Sequence, residues 1–113
     1  MAALGNMKSI AKGERVKLND AAVAGTGTLD FVFVHQMNHP GDFSALFQVI
    51  GTLGSVSADL QVSLDGGTTF VTYSAAALVA ATPFKLITLV DGAIWRLNIT
   101  AGPTSADFWV TCN

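Results

Sequence analysis

Ser63-Leu64-Asp65-Gly66-Gly67-Thr68-Thr69-Phe70 constrains the fold more than any other stretch of this sequence, because its residues dictate a backbone shape. The paired glycines supply positive φ angles that a Cβ resists, and Asp65 before them accepts from backbone amides further along the turn. Leu60, Val62 and Leu64 alternate with Gln61 and Ser63 ahead of it, and Phe70-Val71-Thr72-Tyr73 follows. Two period-two segments joined by a four-residue loop predict a β-hairpin, with Asp65, Gly66 and Gly67 as its structural turn.

The same pattern recurs along the chain. In Thr28 to His35, Leu29, Phe31 and Phe33 share one face with Asp30 opposite, which predicts a central, buried strand. Phe43 to Thr52 is extended, with Phe43, Ala45, Phe47 and Val49 on one face. Glu14 to Leu18 reads as an edge strand guarded by its charges. Phe84 to Val90 and Ala93 to Thr100 read as a second hairpin across Asp91-Gly92, with Trp95, Leu97 and Ile99 inward and Ile94, Arg96 and Asn98 outward. Ser74 to Pro83, rich in alanine, reads as a loop with room for one helical turn. Asp107 to Cys112 is the final strand. Its register exposes either Trp109 or the Phe108, Val110 and Cys112 face. An outward Trp109 would be an interface anchor or a cover for the sheet edge.

Seven or eight strands without an amphipathic helix predict an all-β fold, an antiparallel β-sandwich of immunoglobulin-like or jelly-roll type. With 113 residues there is room for one domain. Residues 13–113 form the sandwich, and residues 1–12, lacking periodicity, form an extended N-terminal arm ordered only by contact.

Charge is polarised. The net charge is −2, yet four of the six basic residues, Lys8, Lys12, Arg15 and Lys17, fall in the first 17 positions. Such a segment is either a solvated terminus or a dock for an acidic partner surface. No aromatics interleave with these bases, so the pattern does not suit nucleic acid. Charged residues make up only 12% of the chain, against about 25% in an average soluble domain, so the exterior is built of Ser and Thr or hidden against neighbours. The single cysteine, Cys112, leaves no intrachain disulfide and suits assembly in a reducing compartment. Residues 1–11 lack the apolar run of a signal peptide, and no apolar stretch approaches membrane-spanning length.

No catalytic constellation emerges. His35, His39 and Asp42 lack the spacing of a metal site and sit around a turn. There is no nucleophile elbow and no glycine-rich loop entering a helix, and the acids fall mostly in turns, where capping explains them. The expectation is a protein that is not an enzyme and holds no cofactor or metal.

Ser63-x-Asp65-x-Gly67-x-Thr69-Phe70 resembles the Asp-box hairpin of sialidases and other β-propellers, but it occurs once, and a propeller needs several blades. Gly51 to Phe70, with its Ser-x-Asp-Gly-Gly-x-Thr-Phe turn, followed by Ile94-Trp95-Arg96-Leu97-Asn98-Ile99-Thr100-Ala101, resembles the small β-sandwich proteins of tailed bacteriophages. The likeness covers about residues 50–113. It implies a virion structural protein, foremost a capsid decoration (cement) protein on the shell exterior, made in the host cytoplasm. Its partner would be the major capsid protein, and it would be a homo-oligomer, with a trimer favoured. A neck, tail or head-fibre component is the neighbouring expectation, and a glycan-binding module stacking sugars on Trp109 or Tyr73 is the rival. Lys8, Lys12, Arg15, Lys17 and Trp109 are the expected capsid-binding residues.

Overall fold

In a computed structural model, the described residues are 3–11, 13–34, 44–79, 83–86 and 93–112. They form nine strands and, among themselves, no helix. The strands are β1 (Lys8–Ala11), β2 (Arg15–Lys17), β3 (Gly27–Val34), β4 (Ala45–Thr52), β5 (Ser57–Ser63), β6 (Val71–Val79), β7 (Phe84–Leu86), β8 (Ile94–Ala101) and β9 (Ser105–Cys112). They make a five-stranded sheet, β1-β3-β8-β5-β6, and a four-stranded sheet, β2-β9-β4-β7. Consecutive strands change sheet at every step except β5 to β6.

Period-two patterning drives this arrangement. Leu29, Phe31 and Phe33 of β3, Trp95, Leu97 and Ile99 of β8, Phe47 and Val49 of β4, and Phe108 and Val110 of β9 all point into one shared core. The Phe31 and Phe47 rings, one from each sheet, lie 5.4 Å apart and join the layers. Each such ring withdrawn from water contributes roughly 1.5–3 kcal/mol. The strand predicted from Thr28 is thus central as expected, β3 being flanked by β1 and β8, and His35 at its predicted end lies outside the described residues. Glu14 to Leu18 supplies the edge strand β2.

Several expectations change. There are nine described strands rather than seven or eight. Where the sequence predicts an extended arm over residues 1–12, outside the sandwich and ordered only by contact, residues 4 and 8–11 pair with the body. The Leu4 amide donates to the Thr28 carbonyl at 2.9 Å, β1 pairs in parallel with β3, and Ile10 is fully buried. A four-residue strand with one large apolar side chain is too short to display a period. Of the alanine-rich stretch predicted as a loop, Ser74 to Val79 is strand, and residues 80–82 lie outside the described residues. The strand part belongs to β6, an edge strand whose register against β5 slips between Ala58 and Gln61. Ala76 adopts φ +50° there, and its amide donates to the Asp59 carboxylate at 2.8 Å. Such bulges twist an edge and make it a poor template for another strand.

Phe84–Leu86 pairs with β4 and so lies in the other sheet from β8, which removes this part of the predicted second hairpin. The Asp91-Gly92 turn lies outside the described residues. Val62 keeps the expected alternation, but Leu64 is 79% exposed and Ser63 is buried, because the chain leaves the sheet after Ser63.

Candidate functional site

The structural turn is longer than a tight hairpin. Residues 64–70 connect β5 to β6 and fold back over the outer face of the five-stranded sheet. Ser63 Oγ donates to Asp65 Oδ1 at 2.7 Å and accepts from the Gly67 amide at 3.0 Å, while the Thr69 amide donates to Asp65 Oδ1 at 2.9 Å. Gly66 and Gly67 hold φ of +80° and +96°. The loop then lays Phe70 on the Arg96 guanidinium, 3.7 Å from the ring centroid. Arg96 in turn grips Asp30 with two hydrogen bonds of 2.7 and 3.1 Å, so turn, β8 and β3 are locked side by side. The box is therefore a staple, in which Ser63, Asp65 and Phe70 are already engaged.

The Thr69 amide, then the Ser63 hydroxyl, lower the Asp65 carboxyl from 3.8 to about 2. A depressed folded-state value means that the unfolded chain takes up the proton first as pH falls. The turn's contribution is therefore complete above about pH 4 and lost towards about pH 2. Asp65→Ala should lower the melting temperature near neutral pH, with the gap to the parent protein narrowing as pH drops through that window. A gap constant with pH would show that the carboxylate hydrogen bonds contribute nothing.

The charged and aromatic residues expected to bind a partner do not all meet. Lys8 lies on β1 in the five-stranded sheet and pairs with Asp20 at 2.6 Å. That hydrogen bond, followed by one from the Asn6 amide, holds the Asp20 carboxyl below its ordinary range. Lys12 lies outside the described residues. Arg15, Lys17 and Trp109 do come together, on the outer face of the four-stranded sheet. Burial of Phe108, Val110 and Cys112 decides the register of β9 and turns Trp109 outward. Lys17 pairs with Trp109 across β2 and β9, and the Arg15 guanidinium lies over the indole at 5.6 Å from its centroid.

Sequence reasoning missed the remainder of this face. Arg15, Thr111, Leu46 and Lys85 occupy successive strands in one register row, and Gln48 pairs with Trp109 in the next. Arg15, Trp109, Thr111, Leu46, Gln48 and Ile50 line an open cleft of about 430 Å³. Leu46 and Ile50 are 46% and 52% exposed. The available signal was that both phases of β4 are apolar, Ala45, Phe47 and Val49 inward and Leu46 and Ile50 outward, which one buried face does not require. Beneath the face, buried Asn19 donates to Asp107 Oδ1 at 2.9 Å and accepts from the Phe108 amide at 2.8 Å, pinning β9 to the segment after β2.

The described residues contain no group of three or more His, Cys, Asp or Glu placed to hold a metal, and His35, His39 and Asp42 lie outside them. No described helix is long and apolar enough to cross a membrane. Neither protein-family models nor curated protein sequences match the chain.

Proposed function

We propose that this protein is a structural component of a tailed-bacteriophage virion, a decoration (cement) protein that docks on the major capsid protein from outside the shell. The observation that carries the reading is the outer face of the four-stranded sheet, where Leu46 and Ile50 are exposed beside a half-buried Trp109 among Arg15, Lys17 and Lys85. An apolar centre with a charged rim is the composition of a docking surface. The motif resemblance over residues 50–113 supplies the phage context.

The strand order supports a jelly roll. β2-β9-β4-β7 facing β3-β8-β5-β6, with consecutive strands alternating between sheets except from β5 to β6, is the order of that sandwich, whereas an immunoglobulin sandwich groups its strands differently. β1 is then an added edge strand. Jelly rolls serve in viral capsids and in lectins, so the fold alone leaves two roles. A sugar platform would gather solvent-facing aromatics on one surface. Tyr73 instead packs edge-on against Trp95 in the five-stranded sheet while Trp109 lies on the other sheet, which weighs against the glycan reading. The role is one of binding, not catalysis, and the body assembles as a closed oligomer, a trimer at a three-fold position of the shell.

Quantitative mass spectrometry of purified particles tests this reading. Hundreds of copies per particle are expected; about a dozen or fewer would indicate a neck, tail or fibre component instead. Removing residues 1–12 is a poor probe of docking, because it strips Ile10 from the core. Trp109→Ala combined with Arg15→Ala should weaken attachment to stripped shells by about tenfold to a hundredfold in a co-sedimentation assay. Unchanged attachment would remove this face from the interface.

A further inference from the structure

The cations of this acidic chain are not evenly engaged. Lys8 pairs with Asp20 and Arg96 with Asp30, and Lys12 lies outside the described residues. The other three, Arg15, Lys17 and Lys85, belong to the two edge strands of one sheet, β2 and β7, with no ion pair among the described residues. Arg15 and Lys85 end the same register row, with Thr111 and Leu46 between them. Three inter-strand steps of about 4.8 Å set the ends of that row roughly 14 Å apart. Trp109 and Ile50 lie alongside, next to the uncovered Leu46. The acid on this side, Asp107, is already tied to Asn19.

We infer that this face takes an extended acidic peptide segment that runs across the strands, with two carboxylates four residues apart and an apolar side chain midway between them. The inference rests on the docking role proposed for the face and specifies what docks there. Its geometry follows from the row. An extended chain advances about 3.3 Å per residue, so side chains four apart project to the same side roughly 13 Å from each other, close to the Arg15 to Lys85 span. The residue midway projects to that side too and lands over Leu46 and Trp109. A helix would need about nine residues for the same span and would turn its carboxylates off the face. Apolar contact supplies anchoring, and the two charges fix register and direction.

The test titrates ¹⁵N-labelled protein with the capped peptide Ser-Glu-Thr-Leu-Thr-Glu-Ser and follows amide and indole resonances. Shifts should concentrate at Arg15, Leu46, Lys85, Thr111 and the Trp109 indole N–H, with Kd in the millimolar range expected of a short flexible ligand, about 1–10 mM. Arg15→Gln with Lys85→Gln should weaken binding about tenfold, and raising salt to about 0.5 M should weaken it too. Both side chains are on exposed positions, so the variant keeps the fold, and its unchanged amide spectrum elsewhere verifies this. No shift up to about 20 mM peptide, or equal shifts from the reordered Ser-Leu-Thr-Glu-Glu-Thr-Ser, overturns the inference. A stronger response at these residues to an oligothymidylate overturns it in favour of a phosphate backbone. Peptide binding by a protein missing from purified particles would instead retain the inference and sink the virion reading.

Discussion

Phe47→Ala is expected to lower the free energy of unfolding by about 3–5 kcal/mol, enough to cut the melting temperature by roughly 15–30 °C. Phe47 is fully buried in β4, and its ring contacts Phe31 of the opposite sheet and Phe84 of β7, the latter at 6.2 Å. Truncation therefore loosens the contact between layers and the seat of an edge strand together. The cavity would be lined by aromatic rings held by their own strands, which limits collapse and places the cost high in the usual range. Phe47→Leu, which keeps most of the volume, should cost only about 1–1.5 kcal/mol. Urea denaturation of both variants measures the difference. A loss below about 1 kcal/mol for the alanine variant would show that the sheets do not depend on this ring.

The second large effect comes from adding one methyl group. Gly51 sits in β4 opposite Ala106 with φ +139°, and a Cβ there would lie 2.5 Å from the Ser105 carbonyl oxygen and 2.8 Å from the Ala106 Cα. Those neighbours are backbone of the adjacent strand and cannot rotate away. Gly51→Ala should cost about 2–5 kcal/mol, the sum of backbone strain and overpacking. Gly25→Ala separates the two, since Gly25 has a similar φ of +123° and open space around its Cβ position. It should lose only the strain, about 1–3 kcal/mol. Equal losses at the two sites would show that β4 and β9 can part without cost at Gly51.

What the sequence made legible was local. Period two in Leu29, Phe31 and Phe33, and in Trp95, Leu97 and Ile99, exposes a buried strand face directly, because neighbouring side chains alternate whatever the partner strand is. The Ser63 to Phe70 turn was legible because its chemistry is internal to the turn. Partner choice was not. Asp91-Gly92 suggested that Phe84 to Leu86 would pair with β8, yet Phe84 fits against Phe47 in the other sheet, a preference decided by packing between segments nearly 40 residues apart. β6 was obscured by alanine, which favours helix, and by bulges that break the alternation. The docking face depended on the same nonlocal choices: Arg15 meets Trp109 only because β2 pairs with β9, and Leu46 flanks them only because β4 pairs with the other side of β9.

That position of β9 has a kinetic consequence. The strand between β2 and β4 is the last of the described nine to be synthesised, and Arg15 pairs with Thr111. Until Ser105 to Cys112 leaves the ribosome, β2 and β4 have no common neighbour, and the four-stranded sheet waits with Phe47 and Val49 uncovered. Long-range pairings of this kind place folding in the range of about milliseconds to seconds, because the loop entropy is spent before the contacts repay it. During that wait a nascent chain would be shielded by whatever engages apolar strands in the cell.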